Sequence, residues 1–179
     1  MEAVGIKVVA WMNINVKIVF MEPKRTKQLS KEDAAYLGGI LDGEGTITLT
    51  SKHKGENRRL AVTISNTERD LLEWVLKTTG VGGISTKKIY NDKHSAPFTY
   101  QVCSKQAYDI LIQVVSHLKS YKKFRAEIIL KNYHQLTPRN GKYTPELLAK
   151  RTEFIKMFFK FRSKNSRINS FWLYSLSML

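Results

Sequence analysis

Two carboxylates set among glycines, Asp42 and Glu44 in residues 36–47 (YLGGILDGEGTI), are the side chains best suited to chemistry in this chain. They stand at the C-terminal end of an apolar, small-residue stretch that reads as a helix. A helix dipole is negative at that end, so acids there are disfavoured. Two of them with no Lys or Arg beside them point to a site for something cationic. The alternative is an ordinary left-handed helix stop, with Gly43 or Gly45 just past the last turn. That accounts for the glycines but leaves the paired acids without a reason. Other chemistries find little support. The histidines, His53, His94, His117 and His134, have no metal-ligand spacing, and no Ser-His-Asp arrangement, phosphate-binding loop or cysteine metal motif occurs. Residues 80–83 (GVGG) read as a turn rather than a phosphate cradle.

The elements that must position Asp42 and Glu44 follow from the pattern around them. Ser30 can cap a helix whose first turn carries Glu32 and Asp33, where the dipole favours acids. Ala35, Gly39 and Gly43 fall at i, i+4 and i+8 and line one face of it. Each glycine costs roughly 1 kcal/mol in a helix interior, so this bare face needs a purpose, and close approach of another backbone supplies one. Directly afterwards the period changes to two. Thr46, Thr48, Thr50 and Lys52 point one way and Ile47, Leu49 and Ser51 the other. After a polar turn, Leu60, Val62 and Ile64 face inward while Arg59, Ala61, Thr63 and Ser65 face outward. Thr67 is placed to cap a helix from Glu68 to about Thr79. Strands are expected over residues 84–90 and 98–103. Helices are expected from a Ser104 cap to about Leu118 and from about Tyr121 to Leu136. Thr144 with Pro145 at the first helical position opens another, reaching about Phe161. The order is that of an α+β domain: a curved antiparallel sheet with helices on one face, plus C-terminal helices.

Length and charge bound the rest. The 179 residues suit one domain, or one domain with an appendage, and 42% apolar content can build a core. The net charge of +15 implies a polyanionic partner, nucleic acid before an anionic membrane. Basic residues are spread through patterned segments, which favours a folded basic surface over a tail. Cys103 is the single cysteine, so an intrachain disulfide is impossible and a reducing, intracellular setting fits. No apolar run reaches transmembrane length, and the run over residues 4–20 is too broken by Lys7, Asn13, Asn15 and Lys17 for a signal peptide. Part of that run, residues 8–20, is β-prone. It reads either as an added strand or as a partly non-native extension, since Met12 and Met21 are alternative starts.

Residues 37–45, Leu37-Gly38-Gly39-Ile40-Leu41-Asp42-Gly43-Glu44-Gly45, resemble the signature of the LAGLIDADG homing endonucleases. Leu37, Gly39, Asp42 and Gly45 match its letters, and Glu44 stands for its second Asp. The resemblance covers about residues 30–136. It divides the chain into an N-terminal extension (1–29), an endonuclease-like core (30–136) and a C-terminal helical extension packed on it (137–179). A single motif implies the homodimeric subfamily and an α-β-β-α-β-β-α core with a four-stranded saddle sheet. The motif helices of two copies then meet through Ala35, Gly38, Gly39 and Asp42. Implied activity is site-specific double-strand cleavage of a long, near-palindromic DNA target. Mg²⁺ is the implied cofactor, with Mn²⁺ or Ca²⁺ able to stand in for binding. The resemblance makes Glu44 the metal ligand, helped by the Gly43 carbonyl, and Asp42 a structural residue at the helix junction. Lys122 in the segment KKFRAEIIL matches the family lysine near the scissile phosphate, with Lys123 the alternative register. Asn66, closing the second strand, matches a residue that orders water, and Arg69 is a weaker phosphate contact. The sheet residues expected to read DNA are Thr46, Thr48, Thr50, Lys52, Arg59, Thr63, Ser85, Lys87, Thr99 and Gln101. The implied setting is a prokaryotic cytoplasm or an organelle. Two other readings compete: a non-cleaving relative acting as RNA maturase or transcriptional regulator, and a generic basic RNA-binding domain. The outward strand positions lack the aromatic platform usual for the latter.

Overall fold

The computed structural model describes residues 24–51, 53, 56–86, 97–138 and 141–160. The elements are α1 (Lys31–Glu44), β1 (Gly45–Thr50), β2 (Arg59–Asn66), α2 (Arg69–Thr79), β3 (Gly83–Thr86), β4 (Phe98–Cys103), α3 (Ser104–Val114), α4 (Tyr121–Asn132) and α5 (Pro145–Lys160). The strands form one antiparallel sheet in the order β1-β2-β4-β3. This is the α+β architecture expected from the sequence. The expected strand over residues 8–20, the segments 87–96 and 161–179, and the side chains of Lys52 and Lys87 lie outside the described residues.

The alternation of β1 and β2 becomes a two-sided sheet because a strand's side chains alternate with period two. Ile47, Leu49, Leu60, Val62 and Ile64 are all essentially buried, and α1, α2 and α3 supply Leu37, Leu41, Leu72, Val75, Ile110 and Leu111 against them. Ala61 departs from its expected outward setting. By register it faces Thr48 and Cys103 on the outer side, yet it is fully buried. A methyl group in the middle of the sheet is roofed by its longer neighbours. Helix α5 is part of the same core, with Phe154 and Phe158 buried in it.

Several boundaries differ from expectation. Thr67 does not cap α2. The helix starts at Arg69, and the Asn66 side-chain oxygen takes the Glu68 amide at 2.8 Å instead. Ser104 is not a cap either; it sits at φ 54°, and the chain turns from β4 into α3 through this left-handed residue. Helix α3 ends at Val114 and tightens into a 3₁₀ turn over Val115–His117. Helix α4 stops at Asn132 rather than Leu136. The Ser30 and Thr144 caps do form, with amide bonds from Asp33 at 3.0 Å and Leu147 at 3.2 Å. Residues 24–29 are tied down by side-chain amides. Gln113 accepts from the Leu29 amide and donates to the Lys27 carbonyl, and Gln106 donates to the Lys24 carbonyl.

The helix stop at α1 is not left-handed. Gly45 has φ −85° and ψ 160°, so backbone freedom is not what the position demands. The demand is steric: a Cβ on Gly45 would lie 2.7 Å from the Leu41 backbone. The strand leaves the helix by folding directly over its last turn, and only glycine fits. Gly45→Ala should therefore destabilise the fold by about 1–3 kcal/mol, the range for forced overpacking. Urea unfolding measures this, and an unaltered midpoint would contradict it.

Candidate functional site

The end of α1 has no basic residue in its own last turn. The missing charge arrives from about eighty residues away. The Lys122 Nζ donates to the Leu41 carbonyl at 2.8 Å and the Asp42 carbonyl at 2.9 Å. A cation thus sits on the negative end of the helix, meeting the orphan Asp42 carbonyl and sharing the Leu41 carbonyl with the Gly45 amide. The reciprocal contact also forms. The Asp42 carboxylate accepts from the Lys119 amide at 2.5 Å, the Ser120 amide at 3.3 Å and the Ser120 hydroxyl at 2.6 Å. Those groups form the N-terminal entry of α4, where negative charge is favoured. Ser120 itself caps α4 by accepting from the Lys122 amide at 3.2 Å.

Both groups have shifted acidities. Burial pushes the Asp42 carboxyl up, but the Ser120 hydroxyl, the Lys119 and Ser120 amides and the Lys122 charge outweigh it, holding it below its ordinary value. Burial lowers Lys122 below the usual lysine range, Asp42 and Glu44 oppose this, and Arg125 adds to it. Lys122 is only 6% exposed. Of the two acids flagged in the sequence, Asp42 is therefore committed to holding α4, whereas Glu44 is exposed at the last position of α1. Among the described residues no group of three or more His, Cys, Asp or Glu could hold a metal. One chain offers Glu44 and nearby backbone oxygens instead of a closed cage. That donor set fits a hard, hydrated cation, which takes one or two carboxylates and shares phosphate oxygens.

Asn66 lies where β2 ends, beside the α1–β1 junction, since Gly45 pairs with Ile64. Its side-chain oxygen is occupied by the Glu68 amide. Arg69 bonds Glu73 at 2.7 Å and lies over the Phe98 ring. Arg125, one turn beyond Lys122, escaped the sequence reading as a site residue. Its guanidinium donates to the Ile47 carbonyl at 3.2 Å and lies between the Tyr121 and Phe158 rings, 5.2 Å from each centroid. It braces the edge strand next to the site, and no local sequence signal pairs it with β1.

The outward sheet residues share one face, as the register requires. Thr46 pairs with Thr63 and Thr63 with Gln101; Thr50 pairs with Arg59; Ser65 pairs with Thr99 and Thr99 with Ser85. The Ser65 and Thr99 hydroxyls are bonded at 3.0 Å. Thr46, Arg59, Ser85 and Gln101 are exposed, and Thr48, Thr50, Thr63 and Thr99 are half-buried. On α1, Ala35, Gly39 and Gly43 are all exposed, and a Cβ on either glycine would meet nothing within 4 Å. Gly38 is different. It is buried, and its Cβ would lie 2.8 Å from His117, so it serves packing within its own chain.

A family model described as the LAGLIDADG-like domain matches residues 31–129. The chain belongs to the LAGLIDADG family, and site-specific DNA endonuclease activity is the function this membership supports. Among solved structures it is similar to the homing endonuclease I-CvuI in complex with its target in the presence of calcium. That match has 18% identity and a TM-score of 0.59 over 76% of this chain and 86% of that one. It is equally similar in fold, at 16% identity and TM-score 0.59, to I-CvuI with an I-CreI target in the presence of magnesium, with the DNA not cleaved. The LAGLIDADG homing endonuclease I-GzeII bound to its DNA target matches at 21% identity and TM-score 0.53, over 73% of this chain and 44% of that one. At these identities the likeness is one of fold. No curated protein sequence matches the chain.

The reciprocal contact predicts a pH-dependent stability. Asp42→Ala should lose about 1–2 kcal/mol at neutral pH, the range of a lost helix cap. Because the folded carboxyl titrates below its ordinary 3.8, its contribution is complete above that value and fades as pH falls through the folded one. The gap between wild type and variant should therefore shrink in acid. Urea unfolding across this range checks it, and a gap independent of pH would contradict the assignment.

Proposed function

We propose that this protein cleaves double-stranded DNA as a homodimer, with Glu44 as the metal-binding carboxylate of each subunit and Mg²⁺ as the ion. The observation that carries the reading is the division of labour between the two acids: Asp42 is consumed by α4 while Glu44 remains exposed beside a buried ammonium. Glu44 and the Gly43 carbonyl would hold the cation, which supplies Lewis-acid stabilisation and an activated water. The Lys122 side chain, held by the Leu41 and Asp42 carbonyls, would lend a positive charge to the developing phosphorane-like transition state. The Asn66 side-chain nitrogen is the donor left to order water, its oxygen being occupied. The open face of Ala35, Gly39 and Gly43 lets α1 of a second copy approach closely, bringing one Glu44 to each DNA strand. That arrangement suits a near-palindromic target, whose two half-sites mirror the symmetry of the dimer.

The outer sheet face would lie along the major groove. Gln101 and Arg59 have the donor geometry to pair with adenine and guanine edges, and the threonines suit thymine methyls or base edges. Lys52 and Lys87 extend this set. No helix among the described residues is long and apolar enough to cross a membrane. A DNA substrate would place the protein in a prokaryotic cytoplasm or a DNA-containing organelle.

Glu44→Gln should lower the cleavage rate by at least about 10²-fold, the scale of a lost electrostatic stabiliser. DNA affinity without metal should hold or rise, since two negative charges leave each dimer. Timed cleavage with Mg²⁺, paired with a metal-free gel-shift titration, tests this on DNA of the host's intron-insertion locus. Cutting at the wild-type rate would move the metal to another residue, and binding without any cutting by the wild type would favour the non-cleaving reading. Gly39→Leu should dissociate the dimer, and sedimentation showing an unaltered dimer would exclude the α1 interface.

A further inference from the structure

Helix α5 lies beyond the residues matched by the family model, yet it carries the most deeply buried arginine described. Arg151 is 2% exposed. Its guanidinium reaches three acceptors in two segments at once. It donates to the Leu136 carbonyl at 2.5 Å and the Thr137 hydroxyl at 2.6 Å, both after α4, and to the Arg58 carbonyl at the mouth of the β1–β2 hairpin. It also lies over the Tyr143 ring, 5.3 Å from the centroid. Its Nε is buried without a partner. All its hydrogen-bond acceptors are neutral, so its charge is not repaid by an ion pair in these bonds. Burying a charge this way is expensive, and an apolar residue would fill space more favourably. The arrangement makes sense if fixing position is the purpose.

What it fixes is Arg58. The Arg58 backbone is held by Arg151, and the Arg58 side chain is held twice more. Its guanidinium donates to the Leu49 carbonyl at 3.0 Å and lies 5.0 Å from the centroid of Phe159, also on α5. Helix α5 therefore grips the end of the hairpin that lies away from Glu44. The neighbouring cross-strand pair is Thr50 and Arg59. Thr50 is five residues beyond Gly45, about 17 Å along the strand at ~3.3 Å per residue. With DNA in the sheet, this is about 5 base pairs farther out at ~3.4 Å each.

We propose that Arg151 is a positioning residue for specificity: through Arg58 it anchors the far end of the β1–β2 hairpin on α5 and so sets base discrimination in the outer part of each half-site. This rests on the DNA-endonuclease reading above. Thr50 and Arg59 are the residues that meet the bases or phosphates there. Arg151 acts only through the backbone that carries them. Arg151 and Phe159 form one device that the family domain alone does not contain.

The test uses the full chain and a target recovered by the wild-type protein from a randomised duplex pool. Binding is titrated against single-base variants at every position for wild type, Arg151→Lys and Phe159→Leu. Lysine keeps the charge but cannot fork between Arg58 and Thr137. Discrimination at the outer positions should fall by about tenfold, within the range one good base contact provides, while the inner positions keep the wild-type pattern. Phe159→Leu should relax the same positions to a smaller degree. An even loss across inner and outer positions in a folded variant would make Arg151 merely structural and overturn the inference. Wild-type discrimination retained at the outer positions would overturn it too. If Arg151→Lys does not fold, Phe159→Leu decides by the same criterion. If the wild-type protein recovers no preferred target, the endonuclease reading itself fails, which separates the two outcomes.

Discussion

The exchange of charge between the end of α1 and the start of α4 is the constraint on which the rest of this structure depends. Asp42 sits on the positive end of one helix, and Lys122 sits on the negative end of the other. Each group meets the orphan backbone of its partner helix, which water would otherwise have to solvate. The two helices are thereby locked tip to tip, and the turn after Leu118 is held against the motif helix. Glu44 owes its placement to that lock. Because Asp42 is spent and Gly45 lets β1 fold over Leu41, the next carboxylate emerges at the junction of helix, sheet and basic side chains.

The same economy of contacts governs the sheet. Strand β1 is an edge, and an exposed edge carries unpaired carbonyls that invite unwanted pairing. Arg125 and Arg58 donate to the Ile47 and Leu49 carbonyls. Both guanidinium groups also rest on aromatic rings of α5, Phe158 and Phe159. Helix α5 is thus joined to the sheet by arginines, not only by the apolar packing of Phe154 and Phe158. On the far side, Tyr100 is buried among the Thr79 hydroxyl and the Val81 carbonyl, and burial pushes its own hydroxyl up to about 12. This network fixes the β3–β4 ribbon to the end of α2, so both wings of the sheet are held by polar groups reaching across the chain.

The open face of α1 behaves differently from the rest of the surface. Gly39 and Gly43 leave room where a side chain would be free to stand, at a helix-propensity penalty of roughly 1 kcal/mol each. Among the described residues nothing packs into that room. Gly38 and Gly45, by contrast, are required by contacts inside the chain, with His117 and Leu41. Two glycines are thus explained by contacts within the chain, and the two on the open face are not.

The sequence by itself determined the order of elements, the faces of the strands, the caps at Ser30 and Thr144, and the two acids that stand out against their helix dipole. These are legible because period, capping and propensity act within a few residues. The role of Ala61, the displaced cap at Asn66 and the left-handed Ser104 were not legible, because sheet neighbours and chain direction override local preference there. Only the tertiary structure decided which acid is free. Asp42 and Glu44 look alike in the motif, and they differ because Lys119 and Ser120, distant in sequence, bring backbone donors to one and leave the other exposed. The same holds for Lys122, Arg125 and Arg151. Their partners are carbonyls, which every residue possesses, so no side-chain pattern along the chain could single them out before the fold brought them together.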